Sequence, residues 1–135
     1  MNGIHAFGTT VARGGTSADS FKAALYLTTA TVNASTTAYS STNEVTGTGY
    51  TAGGVAVTNA TAPTSSGTTA YWTPSASIVY STVTIGPTDA VLIYNDTQSD
   101  KAVAVFTFSS QTVTAGTLTL TMPTNDSSSA LIRIA

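Results

Sequence analysis

The twenty residues "DAVLIYNDTQSDKAVAVFTF", Asp89 to Phe108, carry most of the information about the fold. Ala90 to Tyr94 form an unbroken apolar run, the pattern of a strand covered on both faces. "NDTQSD" is polar and rich in residues whose side chains bond their own backbone, so it predicts a turn. Beyond it the chain becomes apolar again, with Phe106 and Phe108 on one face of an extended strand. Two apolar runs across a tight polar turn predict an antiparallel hairpin.

Working outward, "SASIVYSTVTIG" (Ser75 to Gly86) alternates and predicts a strand with Val79, Val83 and Ile85 on a common face. "GTLTLTMP" (Gly116 to Pro123) repeats Thr-Leu in period two, which points Leu118, Leu120 and Met122 inward. "ALIRIA" closes the chain with Leu131 and Arg133 on one side and Ile132 and Ile134 on the other. The intervening "GP", "SSQTVTAG" and "PTNDSSS" predict turns. Short strands between polar turns predict an all-β fold, a single antiparallel β-sandwich, jelly-roll-like or barrel-like, over residues 21–135.

The first half is less regular. "SADSFKAALYLTTATV" fits either a short helix capped by Ser17 or a strand. No Glu or Gln completes a capping box, and the β-branched run after Leu27 favours strand over "AALYLTTATVN". "TNATAPTSSGTTAYWTP" predicts a long surface loop. Residues 1–20 hold too little apolar surface to fold alone and predict an extended N-terminal arm.

Composition narrows the function. Asp, Glu, Lys and Arg make up 7% of the chain, net charge is −2, and Ser with Thr supply a third of all residues. Arg13, Lys22, Lys101 and Arg133 are scattered, which argues against a nucleic-acid footprint. With no cysteine, disulfides and thiolate metal sites are excluded. No stretch reaches the roughly 18 apolar residues of a membrane span. The N-terminus lacks the pattern of a signal peptide, so synthesis in a cytoplasm is expected, with no membrane partner. A wet, weakly charged surface has little self-repulsion and suits a protein destined for assembly.

Candidate chemistry is sparse. His5 is the sole histidine, and a Ser-His-Asp arrangement built on it has almost no specificity. Asp96, Asp100 and Asp126 sit beside turns, where Asp serves the backbone far more often than it serves catalysis or calcium. The glycines of "GTGYTAGG" lack the lysine that a phosphate loop needs. They are better read as a bend at Gly47 and Gly49, a positive-φ turn at Gly53-Gly54, and a strand start at Val55-Ala56-Val57. Sequons at Asn33, Asn59, Asn95 and Asn125 arise readily in a chain this rich in Ser and Thr. Tyr71 and Trp72, next to a polar loop, form either a sugar-stacking platform or an ordinary edge of the core. No catalytic residue, cofactor or metal ligand is assigned.

Taken in order, "YSSTNEVTGTGYTAGGVAVT" (Tyr39 to Thr58), "DAVLIYND", "KAVAVFTF", "GTLTLTMP" and "ALIRIA" resemble a group of small virion proteins of tailed bacteriophages. That group carries a "TNEV-GTGYT-GG" segment, a "LIYN…KAVAV" hairpin and an "IIRIA" ending. The likeness covers about 100 residues, from roughly Thr37 onward. It departs where the group has "DF-D-TW" and this chain has "YWTPSASIVYSTVTI".

The resemblance implies a non-enzymatic structural protein of the particle, similar to capsid decoration or cement proteins. These sit on the outer capsid surface and commonly form homotrimers, so the implied partners are the major capsid protein and other copies of the chain. His5, Phe7 and Arg13 of the arm are the expected capsid-contact residues. A tail, neck or fibre component is the alternative within this class, and a host-glycan-binding sandwich using Tyr71 and Trp72 the alternative outside it.

Overall fold

A computed structural model describes residues 5–8, 18–59 and 61–135. Among them the fold is all-β and every strand pairing is antiparallel. The strands are β1 (Phe21–Leu27), β2 (Val55–Val57), β3 (Thr64–Ser66), β4 (Thr69–Trp72), β5 (Ile78–Asn95), β6 (Lys101–Leu120) and β7 (Ile132–Ile134). One sheet runs β2-β1-β5-β6 and a smaller one runs β3-β4-β7.

The run predicted to be covered on both faces is covered on both. Phe21, Ala23 and Leu25 of β1 join Val91 and Ile93 of β5 on one face, where Trp72 of β4 also packs. Ala24 and Tyr26 join Ala90, Leu92 and Tyr94 on the other, under Ala30, Val32 and Tyr39. Two buried faces explain why this part of β5 needs no polar alternation.

The hairpin forms as expected. Asn95 Oδ1 accepts from the backbone N–H groups of Thr97 and Gln98, both at 3.1 Å. Ser99 and Asp100 complete the reversal with φ of 52° and 56°. Its arms are much longer than their separate motifs implied. "GP" is no turn, because Gly86 and Pro87, joined by a cis peptide, lie inside β5. "SSQTVTAG" is no turn either, because it lies inside β6. Both strands absorb their breakers as bulges, with register shifts at several points along the ladder.

One bulge overturns an expected facing. Thr82 has a φ of 54° and the register slips between Tyr80 and Val83. An extra residue in a period-two strand exchanges the faces. Val79 is therefore 43% exposed while Val83 is 1% exposed, and Ile78 and Tyr80 take the inward places. Two further expectations are corrected. The predicted 58–74 loop contains the β3–β4 hairpin, and "AALYLTTATVN" leaves the strand after Leu27.

Candidate functional site

The glycine-rich stretch folds around one carboxylate. Glu44 is 5% exposed and sits beside Tyr26, with which it forms an isolated bridge. The backbone of Asn43 to Val45 covers the part of β1 that β2 does not reach: Leu27 N–H donates to Asn43 O at 3.0 Å and Val45 N–H to Leu25 O at 2.9 Å. The Glu44 side chain then collects three donors. Oε1 accepts from the Tyr50 hydroxyl and the Gly53 N–H, each at 2.7 Å, and Oε2 accepts from the Tyr39 hydroxyl at 2.6 Å. Tyr50 packs against one core cluster and Tyr39 against the other, so the carboxylate ties the two faces of the large sheet together at its edge.

Other tyrosines extend this clasp. Tyr50 Oη accepts from Leu25 N–H at 2.9 Å, Tyr80 donates to Ala23 O at 2.8 Å, and Tyr94 donates to Gly53 O at 2.8 Å. Tyr26 donates to Ser40 O at 2.6 Å. Five of the six tyrosines thus have bonded hydroxyls.

Three glycines of this stretch are required by close approach: Gly47, whose Cβ would overlap the Thr84 carbonyl oxygen, Gly49 and Gly54. Gly49 (φ 79°) lies against the backbone of Thr82, and Gly54 (φ 76°) lies so near Ala23 that a Cβ would overlap its carbonyl oxygen. The bend and the positive-φ turn read from the sequence are both present, and Val55–Val57 is a strand.

Chemically this arrangement holds rather than reacts. Burial, followed by the hydrogen bond to Glu44, pushes the Tyr39 and Tyr50 hydroxyls well above the ordinary tyrosine range. Burial, followed by the Glu44 charge, does the same to Tyr80. Hydroxyls so firmly neutral at pH 7 are poor bases and poor nucleophiles.

The turn carboxylates have structural work. Asp126 Oδ1 accepts from Ser128 and Ser129 N–H at 2.8 and 2.7 Å, bonds that lower its pKa. Asp96 pairs with Lys22 at 2.9 Å across an exposed surface, an interaction of small value. Among the described residues no group of three or more His, Cys, Asp or Glu gathers as a metal site would.

Of the expected arm contacts, Phe7 and His5 belong to the domain itself. Phe7 is 3% exposed, stacked on Phe21 at 4.9 Å and against Trp72 at 4.4 Å. Ala6 N–H donates to Asp19 Oδ2 at 2.8 Å, Asp19 N–H returns a bond to Ala6 O at 3.2 Å, and Gly8 N–H donates to Asn59 Oδ1 at 2.9 Å. His5 Nδ1 lies 3.1 Å from Asn95 Nδ2, and the same amide donates to Asp19 Oδ2 at 2.7 Å. A phenylalanine with two aromatic partners in its own domain gains more from burial there than from waiting in solvent. Of the expected arm, residues 5–8 pack on the domain, and Arg13 lies outside the described residues.

Trp72 is 0% exposed and its Nε1–H donates to Thr61 O at 2.7 Å, so the indole is no platform for a sugar. A feature that motif reading passed over is an apolar cleft of about 270 Å³. Ile78, Ile93, Phe106, Phe108, Leu120 and Leu131 contribute to its walls. Its only signal in the sequence was the row of leucines and phenylalanines on one face of what proved to be a sheet edge.

Comparison with protein-family models, with curated proteins and with solved structures returned no match.

Proposed function

We propose that this chain is a structural, non-enzymatic protein of a tailed-bacteriophage particle, bound to the outer surface of the major capsid shell and strengthening it against the pressure of packed DNA. What carries this reading is the resemblance, in order and spacing, of the motifs from "TNEVTGTGYTAGG" to "ALIRIA" to those of small virion proteins. The geometry supports it by giving those motifs a common physical purpose. Glu44, Tyr50 and Gly53 of the first block bond to one another, and Tyr94 of "LIYN" bonds to Gly53. Residues that together build one clasp suit a scaffold whose role is shape.

The mechanism is mass action. A protein that binds the assembled shell and not its free subunits stabilises the shell in proportion to occupancy. Many symmetric copies, each burying about 800 Å² per partner, multiply a modest contact. The copies also associate with one another, as homotrimers if the resemblance extends that far.

The test is copy number in purified particles, by quantitative mass spectrometry against the major shell protein. Near-stoichiometric copies, and lower thermal stability of particles stripped of the protein, are expected. A few to a few dozen copies would move it to the tail or neck, and absence from the particle would overturn the reading.

A further inference from the structure

We propose that the free edge of β6 pairs with the same edge of a second copy, in an antiparallel two-fold contact centred on Thr119. In the large sheet β6 is the last strand. Its start is covered, since Ala38 bridges to Lys101 and Ala102 N–H donates to Thr37 O. Further along, no strand among the described residues lies beside it. Natural sheets defend such edges with charged side chains, proline or bulges. Between Lys101 and Asp126 this chain has no charged residue at all. Register shifts do break β6 at several points, but Leu118 to Leu120 pair in regular register with Tyr80 to Ile78.

This straight end of the strand complements itself. In a two-fold antiparallel pairing, side chains meet on a common face only if each residue opposes one of its own parity. Centred on Thr119, that rule sets Leu118 opposite Leu120 and Thr117 opposite Thr121. The segment Thr-Leu-Thr-Leu-Thr reads identically in both directions. Thr117, Thr119 and Thr121 are exposed, while Leu118 and Leu120 are half-buried. Threonines therefore pair on one face. On the other, leucines pair beside the apolar cleft that Leu120 helps to line, bringing the two clefts together across the axis.

A ladder over residues 117–121 is roughly 17 Å long. With the cleft rims included, the contact must reach the roughly 1,000 Å² that is the lower limit for a specific interface. That size predicts a reversible dimer at micromolar concentration. The contact is independent of capsid binding; if a trimer interface also exists, the two together build hexamers.

Sedimentation velocity of the native protein from 1 to 200 µM should show dimers, or hexamers, growing with concentration. Thr119→Lys, an exposed change that sets two like charges opposite each other on the axis, should abolish the two-fold step with an unchanged circular dichroism spectrum. Thr119→Val should retain it. Because the chain has no cysteine, Thr119→Cys should cross-link into dimers under mild oxidant at least ten-fold faster than Ser66→Cys on β3. A monomer or trimer throughout that Thr119→Lys leaves unchanged, or equal cross-linking of the two cysteine variants, would overturn the proposal.

Discussion

Replacing Glu44 with alanine should be among the most damaging single changes to a polar residue of this domain. The variant strands three donors: the hydroxyls of Tyr39 and Tyr50 and the N–H of Gly53. The tyrosines are only partly buried and can recover some bonding to water. Gly53 is buried and can recover little. A stranded buried donor costs about 1–3 kcal/mol, and bonds to a charged acceptor lie at the upper end. Taking the low end for each hydroxyl and the high end for Gly53 gives a total of about 5 kcal/mol. That is a large part of the roughly 5–15 kcal/mol of a typical domain, equivalent to about 10–20 °C in Tm at this chain length.

Urea unfolding monitored by Trp72 fluorescence supplies the measurement, with an unchanged m-value as the sign that both end states are preserved. Tyr50→Phe removes one donor and also orphans Leu25 N–H, so about 1–3 kcal/mol is expected. The double variant should cost at least about 1 kcal/mol less than the sum of the singles, because both act on one network. A Glu44→Ala loss within about 0.5 kcal/mol, the usual range for a surface change, would refute the clasp.

Alkaline pH should weaken the fold. Tyr50 and Tyr80 have folded pKa values raised above 10, mainly by burial. Their neutral forms contribute full stability below pH 10, and it is lost as the pH rises above 10 because the unfolded chain ionises first. The loss is about 1.4 kcal/mol per tyrosine at pH 11, and a urea midpoint that is flat from pH 9 to 11 would contradict it. Phe7→Ala should cost about 3 kcal/mol or more and shift Trp72 emission to the red, whereas a free arm would leave both unchanged. Gly54→Ala should prevent stable folding, because its Cβ would meet the Ala23 carbonyl; a soluble variant with a native melting curve would show that the turn can relax.

Much of this was legible along the chain. The covered run Ala90–Tyr94, the Asn95–Asp100 turn, the Thr-Leu alternation and the positive-φ glycines are all local patterns. Periodicity and φ preference report on a residue's immediate neighbours, and those patterns survived folding intact. The all-β class followed from them, as did the scarcity of charge and the lack of cysteine.

Tertiary structure decided everything that depends on partners distant in the chain. Nothing near Glu44 marks it as a hub, because its donors converge only when residues 39–53 wrap the edge of β1. Nothing near Phe7 marks it as core, because its slot is built by Phe21 and by Trp72, sixty-five residues away. Gly86-Pro87 looks like the end of a strand until a long partner strand holds the chain extended through it, and the bulge at Thr82, inside a run that alternates regularly in sequence, sends Val79 outward. The free edge of β6 likewise exists only by virtue of strand order. Composition and period state what each segment prefers; long-range pairing and burial determine which preferences are kept.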